Sequence, residues 1–501
     1  MALNKNIKFN GPVLVFTAIA AWYLITNFIW WSINTPVVPW YDASAAHFLD
    51  IFKTGFLFYN APVITWIFKF LFLIFDRKYA DIIIISFNYV CFLTALYFIY
   101  KIGEEIESRE TGQIAMILFA MVPAVYWLSR HYGRQDYHVM SVTAVSIYCL
   151  IKSDNFQNRK WSLALGACVG IGFLIKDAFL IYISGPFCYA VFAGLKKKDK
   201  YVLMNILLSS GIAAALAGIH YFRYDIIKKI YMEPTRDPVS LASFDTIKNV
   251  TIGLSDSLLS FPVFIVFLAG LWYFISRYKN KNKTIILLWI TVSWCLITFM
   301  PQKKDPDYFA GMIPAMILAA AVFLAQIKPL ILKKTILFFL IITGAFQYIN
   351  FSFYPQKWLT TINIKVSGKK FNYYNTNYVK MNFDVKQQVY KIIKTIDYIN
   401  EQCPNSKICL YVNEKSKLQA KVLRTGMLLK NMKVAPRDTE IFVLEKDDDA
   451  VVIVGELMPE TERPLQMSQI NEKFGLASTI FYLKSKQDVD NRIRIFKKKI
   501  L

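Results

Sequence analysis

Four short polar segments between long apolar blocks carry cations together with carboxylates, aromatic rings or histidine. They read Ser129-Arg130-His131-Tyr132-Gly133-Arg134-Gln135-Asp136, Lys176-Asp177, His220-Tyr221-Phe222-Arg223 and Gln302-Lys303-Lys304-Asp305-Pro306-Asp307-Tyr308. Lysine and arginine bind phosphate through charge-assisted hydrogen bonds, and arginine does so in a bidentate way. If all four segments face one side of a membrane, they indicate a site for an anionic ligand. The alternative is that the long side chains reach lipid head groups and that Asp136 only caps the next helix.

A further carboxylate, Asp42, follows a proline-rich turn at 35–39. Apolar residues recur at helical spacing from Ala45 to Phe56, so we expect a helix on the membrane surface that begins at Asp42 and ends at Gly55. A carboxylate in this position can serve as a general base toward an acceptor hydroxyl. It can equally be a plain N-cap. Spacing alone leaves both roles open.

The four histidines also lie between or at the ends of apolar blocks; they are His47, His131, His138 and His220. Histidine combined with carboxylates suits zinc, but this spacing matches no ligand motif. We therefore predict no metal site and no cofactor, with a divalent metal as the alternative.

The elements that must position these residues are membrane helices. The chain has 501 residues, of which 55% are hydrophobic and 16% aromatic, and its mean hydropathy is +0.36. Its apolar blocks are long enough to cross a hydrocarbon core of about 30 Å, where the backbone must be helical. The formal net charge of +23 fits basic loops that orient the helices, so no nucleic-acid partner is expected.

We predict a polytopic α-helical membrane protein of about eleven spans. They lie near 11–33, 80–100, 112–129, 137–151, 161–175, 178–194, 201–222, 255–275, 284–300, 308–325 and 335–351. With the N-terminus in the cytoplasm, the cytoplasmic loops are 101–111, 152–160, 196–200, 277–283 and 328–334, and all but the acidic first one are rich in Lys or Arg. The four polar segments then share the non-cytoplasmic side.

That orientation requires residues 61–75 not to span the membrane. The segment has about fifteen residues, includes Lys69 and follows Pro62, so we place it along the outer interface or make it re-entrant. The long first outer loop, 34–79, would then carry two interfacial helices.

Residues 1–351 are predicted to form the transmembrane catalytic domain, and 352–501 an extracytoplasmic α/β domain. In the second domain, helices are expected at 384–401 and 415–430, with strands at 407–412, 440–444, 450–454 and, as the last strand, 478–484. Cys403 and Cys409 can form a disulfide in an oxidising compartment, or stay free.

Four motifs in order resemble those of GT-C fold glycosyltransferases, especially the protein O-mannosyltransferase and lipid A aminoarabinose transferase branch. They are Asp42 followed by Asn60-Ala61-Pro62, the segment from Ser129 to Asp136, the glycine-rich stretch 170–177 that ends in Lys176-Asp177, and Lys303-Lys304 with Tyr308 and Pro314. The resemblance covers roughly residues 10–350.

The resemblance implies a polyprenyl-phosphate sugar donor, a glycan, lipid or protein acceptor, and a bacterial inner membrane with the active site outside the cytoplasm. Asp42 would be the catalytic base, and Asp136 would assist or orient. The sugar would be transferred by direct displacement with inversion, and cations would stabilise the leaving phosphate. The candidates for donor-phosphate binding are Arg130, Arg134, Arg223, Lys303, Lys304, His220 and Tyr308.

Other membrane proteins remain as alternatives, above all a transporter or flippase of a lipid-linked sugar. Such a protein should carry charges or broken helices near the middle of the membrane. Here the polar residues gather at one face. A lipid-linked glycan ligase or polymerase would favour a large late outer loop, whereas the long loop here is the first. A membrane-anchored binding protein would need a functional cluster in residues 352–501, where none is evident.

Overall fold

The computed structural model of the protein describes two parts of the chain. The helical part comprises residues 11–34, 62–76, 79–129, 135–222, 254–299 and 306–353. The remaining described residues are 363–366, 369–372, 394–404, 406, 408–412, 427, 432, 450–454, 474–481 and 492–498. The expected helix from Asp42 to Gly55 lies outside these ranges.

Thirteen α-helices occupy the first part. They are α1 (Gly11–Asn34), α2 (Val63–Ile74), α3 (Ala80–Ile106), α4 (Arg109–Met121), α5 (Pro123–Leu128), α6 (Gln135–Ser153), α7 (Arg159–Ile175), α8 (Phe179–Leu195), α9 (Lys200–Tyr221), α10 (Phe261–Ser276), α11 (Lys283–Phe299), α12 (Ile313–Ala325) and α13 (Leu330–Ser352). A π-helical turn, Leu254–Leu258, precedes α10, and a 3-10 turn, Pro306–Met312, precedes α12.

Five helical segments among the described residues are long and apolar enough to cross a membrane: Gly11–Trp30, Ile82–Ile106, Lys200–Gly218, Tyr308–Ala325 and Leu330–Ile349. The protein is therefore an integral membrane protein. Shorter helices correspond to the other predicted spans, so the number eleven stays a prediction.

The core lies around α12, whose residues from Ile313 to Val322 are all buried. Gly270 of α10 packs closely against it, since a Cβ atom there would lie 2.5 Å from the Ala319 carbonyl oxygen. By contrast, α1, α9 and α13 expose large apolar side chains such as Phe28, Leu207 and Phe338. These outer helices present a surface suited to lipid.

The third predicted span, 112–129, is not one helix. It is divided into α4 and α5 at Val122, whose backbone is extended (φ −78°, ψ 127°). Pro123 explains the break, because a proline disfavours the helical conformation of the preceding residue. Similarly, the predicted span 255–275 contains the π-helical turn and Ser260 at φ 68°, and α10 begins only at Phe261.

The loops predicted to be cytoplasmic meet at one end of the helical bundle. Lys152 forms an ion pair with Glu105 at 2.9 Å, and Lys333 pairs with Glu110 at 2.9 Å. The Asn280 side chain donates to the Ile106 carbonyl at 2.5 Å. We call this the Glu105 end. Which side of the membrane it faces stays a prediction.

Helix α2 has twelve residues, about 18 Å of helix, which is shorter than a hydrocarbon core of roughly 30 Å. Only one side is packed: Ile64, Thr65 and Phe68 are buried, whereas Leu73 and Ile74 are exposed. Helix α2 alone is thus too short to cross such a core, and the interfacial or re-entrant placement of 61–75 stays a prediction.

Six described strands follow the helices. A two-stranded antiparallel sheet pairs β1 (Asn363–Val366) with β2 (Lys369–Asn372). A mixed sheet has the order β3-β4-β6-β5, formed by β3 (Ile408–Val412), β4 (Ala450–Val454), β5 (Phe474–Phe481) and β6 (Arg492–Lys498). Strands β3 and β4 lie where expected and pair in parallel.

The prediction for the last strand was wrong, because the strand expected at 478–484 is β5, at 474–481, and β6 follows it. Helical residues 394–402 belong to the helix expected at 384–401. Most of 415–430 and all of 440–444 lie outside the described residues.

Cys403 is buried and its thiol is free. The extracytoplasmic α/β domain stays a prediction.

Candidate active site

A buried ion pair lies at the end of the bundle opposite the Glu105 end. The Lys176 Nζ atom is 2.6 Å from Asp136 Oδ1, and the two side chains are 17% and 9% exposed. Asp136 belongs to the first turn of α6, where the N-terminal end of the helix dipole favours a carboxylate. Lys176 is the residue that ends α7.

The chain brings the two residues together through an antiparallel helix pair. Helices α6 and α7 are joined by the short turn 154–158, so the start of α6 lies beside the end of α7. Asn158 caps α7 by accepting a hydrogen bond from the Trp161 N–H at 3.4 Å. Lys176 then leaves the helix with an extended backbone (φ −163°, ψ 136°).

Tyr308 supplies a second contact to the same cation. The Lys176 Nζ atom lies 4.8 Å from the centre of the Tyr308 ring, within the range of a cation–π interaction. The 3-10 turn that carries Tyr308 is held from two sides. The Tyr182 hydroxyl donates to the Tyr308 carbonyl, and the Trp289 indole donates to the Gly311 carbonyl at 3.0 Å.

Gly311 allows this turn to pack against α8. A Cβ atom at this position would lie 2.4 Å from the Tyr182 ring, which is closer than real Cβ contacts. The turn is thereby fixed against α8 and α11, and the Tyr308 ring with it.

The electrostatics keep Lys176 charged. Burial alone lowers the pKa of Lys176, because it disfavours the ammonium form, but the charge of Asp136 and its hydrogen bond outweigh this, and the pKa lies above its usual value. A lysine ammonium has three N–H donors. One donates to Asp136 and the Tyr308 ring covers the cation from another direction. With these contacts from the described residues, the ammonium retains donor capacity for an anionic ligand.

His220 reaches the same end of the bundle. It is buried in the last turn of α9 and packs edge-on against Tyr221, with ring centres 4.8 Å apart. The Tyr221 hydroxyl donates to the Phe173 carbonyl, one turn before Lys176, at 3.0 Å. Within the described residues, no group of three His, Cys, Asp or Glu side chains is arranged to hold a metal ion.

Comparisons with known proteins agree with this architecture. Residues 59–219 match the family described as dolichyl-phosphate-mannose-protein mannosyltransferase. The structure of ArnT from Cupriavidus metallidurans bound to undecaprenyl phosphate superposes with a TM-score of 0.62 at 11% identity, covering 97% of this chain and 98% of that one. The chain has the GT-C fold. The apo state of the same ArnT gives a TM-score of 0.60 at 11% identity, with 96% and 98% covered.

A more distant similarity, with a TM-score of 0.49 and 11% identity, is to an Archaeoglobus fulgidus oligosaccharyltransferase, covering 97% of this chain and 76% of that one. A search of curated proteins found no match. Together, the family match and the GT-C fold support a membrane glycosyltransferase. The family match includes Asp136 and Lys176; it begins after Asp42 and stops before His220 and Tyr308.

The structure thus brings together two of the predicted site residues, Asp136 and Tyr308, through Lys176. Six others lie outside the described residues: Asp42, Arg130, Arg134, Arg223, Lys303 and Lys304. Their roles stay predictions.

Sequence reasoning noted Lys176 as an outer cation but did not assign it to the site. The sequence did contain a signal that places Lys176 near Asp136. Two apolar segments joined by a short polar turn form an antiparallel pair, which places the start of the first beside the end of the second. Applied to α6 and α7, that rule places Asp136 and Lys176 at the same end of the helix pair.

Proposed function

We propose that this GT-C protein transfers a sugar from a polyprenyl-phosphate donor to a glycan, lipid or protein acceptor on the non-cytoplasmic face of a bacterial inner membrane, with inversion at the anomeric carbon. The observation that carries the proposal is the buried Lys176 ammonium between Asp136 and Tyr308, inside a fold shared with an ArnT structure that holds undecaprenyl phosphate. A buried cation at one end of a membrane bundle suits the phosphate of a lipid carrier.

Described residues next to the remaining predicted cations support a common donor site. Arg130 and Arg134 belong to the segment between Ser129, which is buried, and the first turn of α6, which carries Asp136. Lys303 and Lys304 precede the turn that carries Tyr308. Arg223 follows α9 by two residues. Each segment therefore starts or ends at a residue near the end of the bundle that carries Lys176, opposite the Glu105 end.

The proposed reaction is a single displacement. The acceptor hydroxyl oxygen forms a bond to the anomeric carbon while the bond from that carbon to the phosphate oxygen breaks. The hydroxyl proton passes to Asp42, and the polyprenyl phosphate leaves with the bonding electron pair. Lys176 and the neighbouring cations stabilise the negative charge that develops on the leaving oxygen. Asp136 orients Lys176, and membrane lipids surround the donor chain.

The distribution of charge favours an enzyme over a transporter or flippase. In the described helices α1, α8, α10 and α12 no charged residue occurs between the first and last residue. In α6, the charged residues are Asp136 in the first turn and Lys152 in the last. A transporter with a charged site near the middle of the membrane would require a different pattern.

The deciding experiment compares lipid-linked sugars and envelope glycans by mass spectrometry in three strains of the source organism. One lacks the gene, one has it restored, and one carries the Asp42→Asn variant. We expect the deletion and the variant to accumulate the same polyprenyl-phosphate sugar and to lose the same sugar from one glycan. A variant strain that matches the restored strain would refute the catalytic assignment and favour transport or binding.

A further inference from the structure

The Glu105 end of the bundle has a neutralised half and a basic half. In the first half, Lys101, Lys152 and Lys333 each contact a carboxylate at 2.5–2.9 Å. The second half contains the turns that follow α6, α8 and α10. Six exposed lysines lie in or next to these turns, and we call them the basic surface: Lys160, Lys196, Lys197, Lys198, Lys279 and Lys281.

Contacts between the three turns bring these lysines onto one surface. The Lys281 Nζ atom lies 3.3 Å from Asp154 Oδ1, so the turn after α10 contacts the turn after α6. A Cβ atom at Gly194, next to the last residue of α8, would lie 3.0 Å from the Asn155 carbonyl oxygen. The turn 154–158 therefore contacts both of the other segments, and Lys160 follows it in the first turn of α7.

The protein itself neutralises little of this charge. Lys281 has Asp154 as its partner, although its side chain is 72% exposed. The other five lysines form no ion pair with a carboxylate in the part of the chain that the structure describes. Asp199, which follows Lys198, instead caps α9 by accepting a hydrogen bond from the Tyr201 N–H at 2.8 Å. Like charges that lie close together repel one another, so an anionic partner would stabilise this surface.

Apolar side chains next to the basic surface indicate which partner it is. Phe192 and Leu195 in the last turn of α8 are exposed, and so is Tyr201 in the first turn of α9. The Lys196 Nζ atom lies 4.6 Å from the centre of the Phe192 ring. Exposed apolar side chains of a membrane protein contact hydrocarbon, and lysines within one turn of them reach the lipid head groups. This depth favours a lipid over a soluble acidic protein.

We propose that the basic surface binds the phosphate groups of anionic phospholipids, of which phosphatidylglycerol is the test case. Lysines near a membrane surface attract anionic lipids, and the attraction falls off within a Debye length. The neutralised half of the same end attracts them less, because its cations already have carboxylate partners. The inference does not depend on sugar transfer, and it applies whichever side of the membrane the Glu105 end faces.

The test measures lipid binding to the full-length protein in neutral detergent. The protein is titrated with phosphatidylglycerol or with phosphatidylcholine, and the bound lipids are counted by native mass spectrometry. The double variant Lys196→Gln/Lys197→Gln should bind phosphatidylglycerol about tenfold more weakly than the wild type. Its binding of phosphatidylcholine should be unchanged, and added salt should reduce the difference between the two proteins.

A matched control removes two charges elsewhere at the same end. Lys328 and Lys334 are exposed and lie before and near the start of α13. Lys333, next to Lys334, donates to Glu110 at 2.9 Å, so a carboxylate already offsets charge in this region. The double variant Lys328→Gln/Lys334→Gln should bind phosphatidylglycerol within about twofold of the wild type.

The comparison of the two double variants decides the inference. Equal losses would reveal only a general effect of net charge and would overturn it. A wild type that binds both lipids equally well would also overturn it and would leave the basic surface to an acidic protein. If Lys196→Gln/Lys197→Gln unfolds at a lower temperature in neutral detergent, Lys160→Gln on α7 decides: weaker phosphatidylglycerol binding supports the inference, and unchanged binding contradicts it.

Discussion

At the scale of single residues, the Asp136–Lys176 pair combines two properties that are difficult to keep together in a membrane protein. Both charges are largely buried, yet each has a close partner at 2.6 Å. Breaking such a pair leaves one uncompensated charge, which costs about 3–5 kcal/mol, whereas removing both partners costs much less. The pair is therefore stable only as a unit.

The first prediction follows from the difference between removing one partner of the ion pair and removing both. Lys176→Ala and Asp136→Ala should each destabilise the protein by about 3–5 kcal/mol, and the double variant by less than the sum of the two. Reversible unfolding in mixed micelles measures the three values. Additive effects would show that the two side chains do not interact. Lys176→Arg keeps the charge and should retain most of the stability, which controls for loss of packing.

The second prediction concerns Asp42, the proposed base. Asp42→Asn should reduce transfer by a factor of roughly 100 or more, because a group that accepts the proton in the transition state contributes about 10²–10⁴ in rate. Binding of undecaprenyl phosphate should be unchanged, since an amide keeps the size of the carboxylate. A purified variant with full activity would exclude the role.

The third prediction concerns Arg134, which is proposed to bind the donor phosphate. Arg134→Ala should raise the KM for the donor and leave kcat less affected, because the role proposed for Arg134 is a contact to the phosphate that the bound donor makes before the reaction. An unchanged KM would remove Arg134 from the phosphate site. Arg159, in the first turn of α7 at the Glu105 end, provides a matched arginine control.

At the scale of elements, close helix packing positions the end of α7. A Cβ atom at Gly166 would lie 2.3 Å from the Ser209 carbonyl oxygen of α9, and one at Gly170 would lie 2.7 Å from Leu216. Small residues at such contacts let membrane helices approach closely. Because Lys176 ends this helix, the glycines of α7 also determine how far the cation is from α9.

The fourth prediction compares two glycines. Gly166→Ala should destabilise the protein by about 1–3 kcal/mol, because the added methyl group has no room against α9. Gly211→Ala is the control: a Cβ atom there meets nothing within 4 Å, and replacing a helical glycine by alanine stabilises by about 0.5–1 kcal/mol. Thermal unfolding in detergent gives both values. Equal effects would contradict the packing at Gly166.

Hydropathy and loop charge predicted most of the helices, because each span is specified by its own apolar residues. They did not predict the break at Val122, which depends on one proline within an apolar stretch. They also ended the second span at 100, whereas α3 continues to Ile106. There Lys101 and Glu104 form an ion pair at 2.5 Å and Glu105 pairs with Lys152. Such contacts between elements have no signal in local hydropathy.

The candidate site, like the helices, was predictable from the sequence only in part. Asp136 and Tyr308 were selected from motif resemblance, and they do share a partner. That partner, Lys176, depends on which helices are neighbours in space. It lies 40 residues from Asp136, so sequence spacing alone does not establish the contact.

At the scale of the whole molecule, the bundle has two chemically different ends. The Glu105 end is closed by ion pairs between the ends of helices, including Lys152–Glu105 and Lys333–Glu110. The other end carries the Asp136–Lys176 pair, together with Tyr308 and His220. One end therefore binds the helices together, and the other is the end suited to binding the proposed donor.

The fifth prediction tests how these ends face the membrane. In a chain whose seven native cysteines are replaced, Lys281→Cys lies at the Glu105 end, where Lys281 is 72% exposed. Asp177→Cys lies exposed at the other end. In intact cells, a membrane-impermeant maleimide should label only the cysteine at 177. After the cells are opened, both should react. Labelling at 281 in intact cells would invert the proposed orientation.

The extended backbone at Val122 has a mechanical consequence. It forms an elbow between α4 and α5, and an elbow is often the place where a protein bends during its working cycle. Here, Val122, Val125 and Leu128 are fully buried, and Tyr126 nearly so, and interiors packed in this way resist deformation. The elbow is consequently a fixed joint. For the proposed function, this means that binding of a lipid-linked donor would involve no bending between α4 and α5.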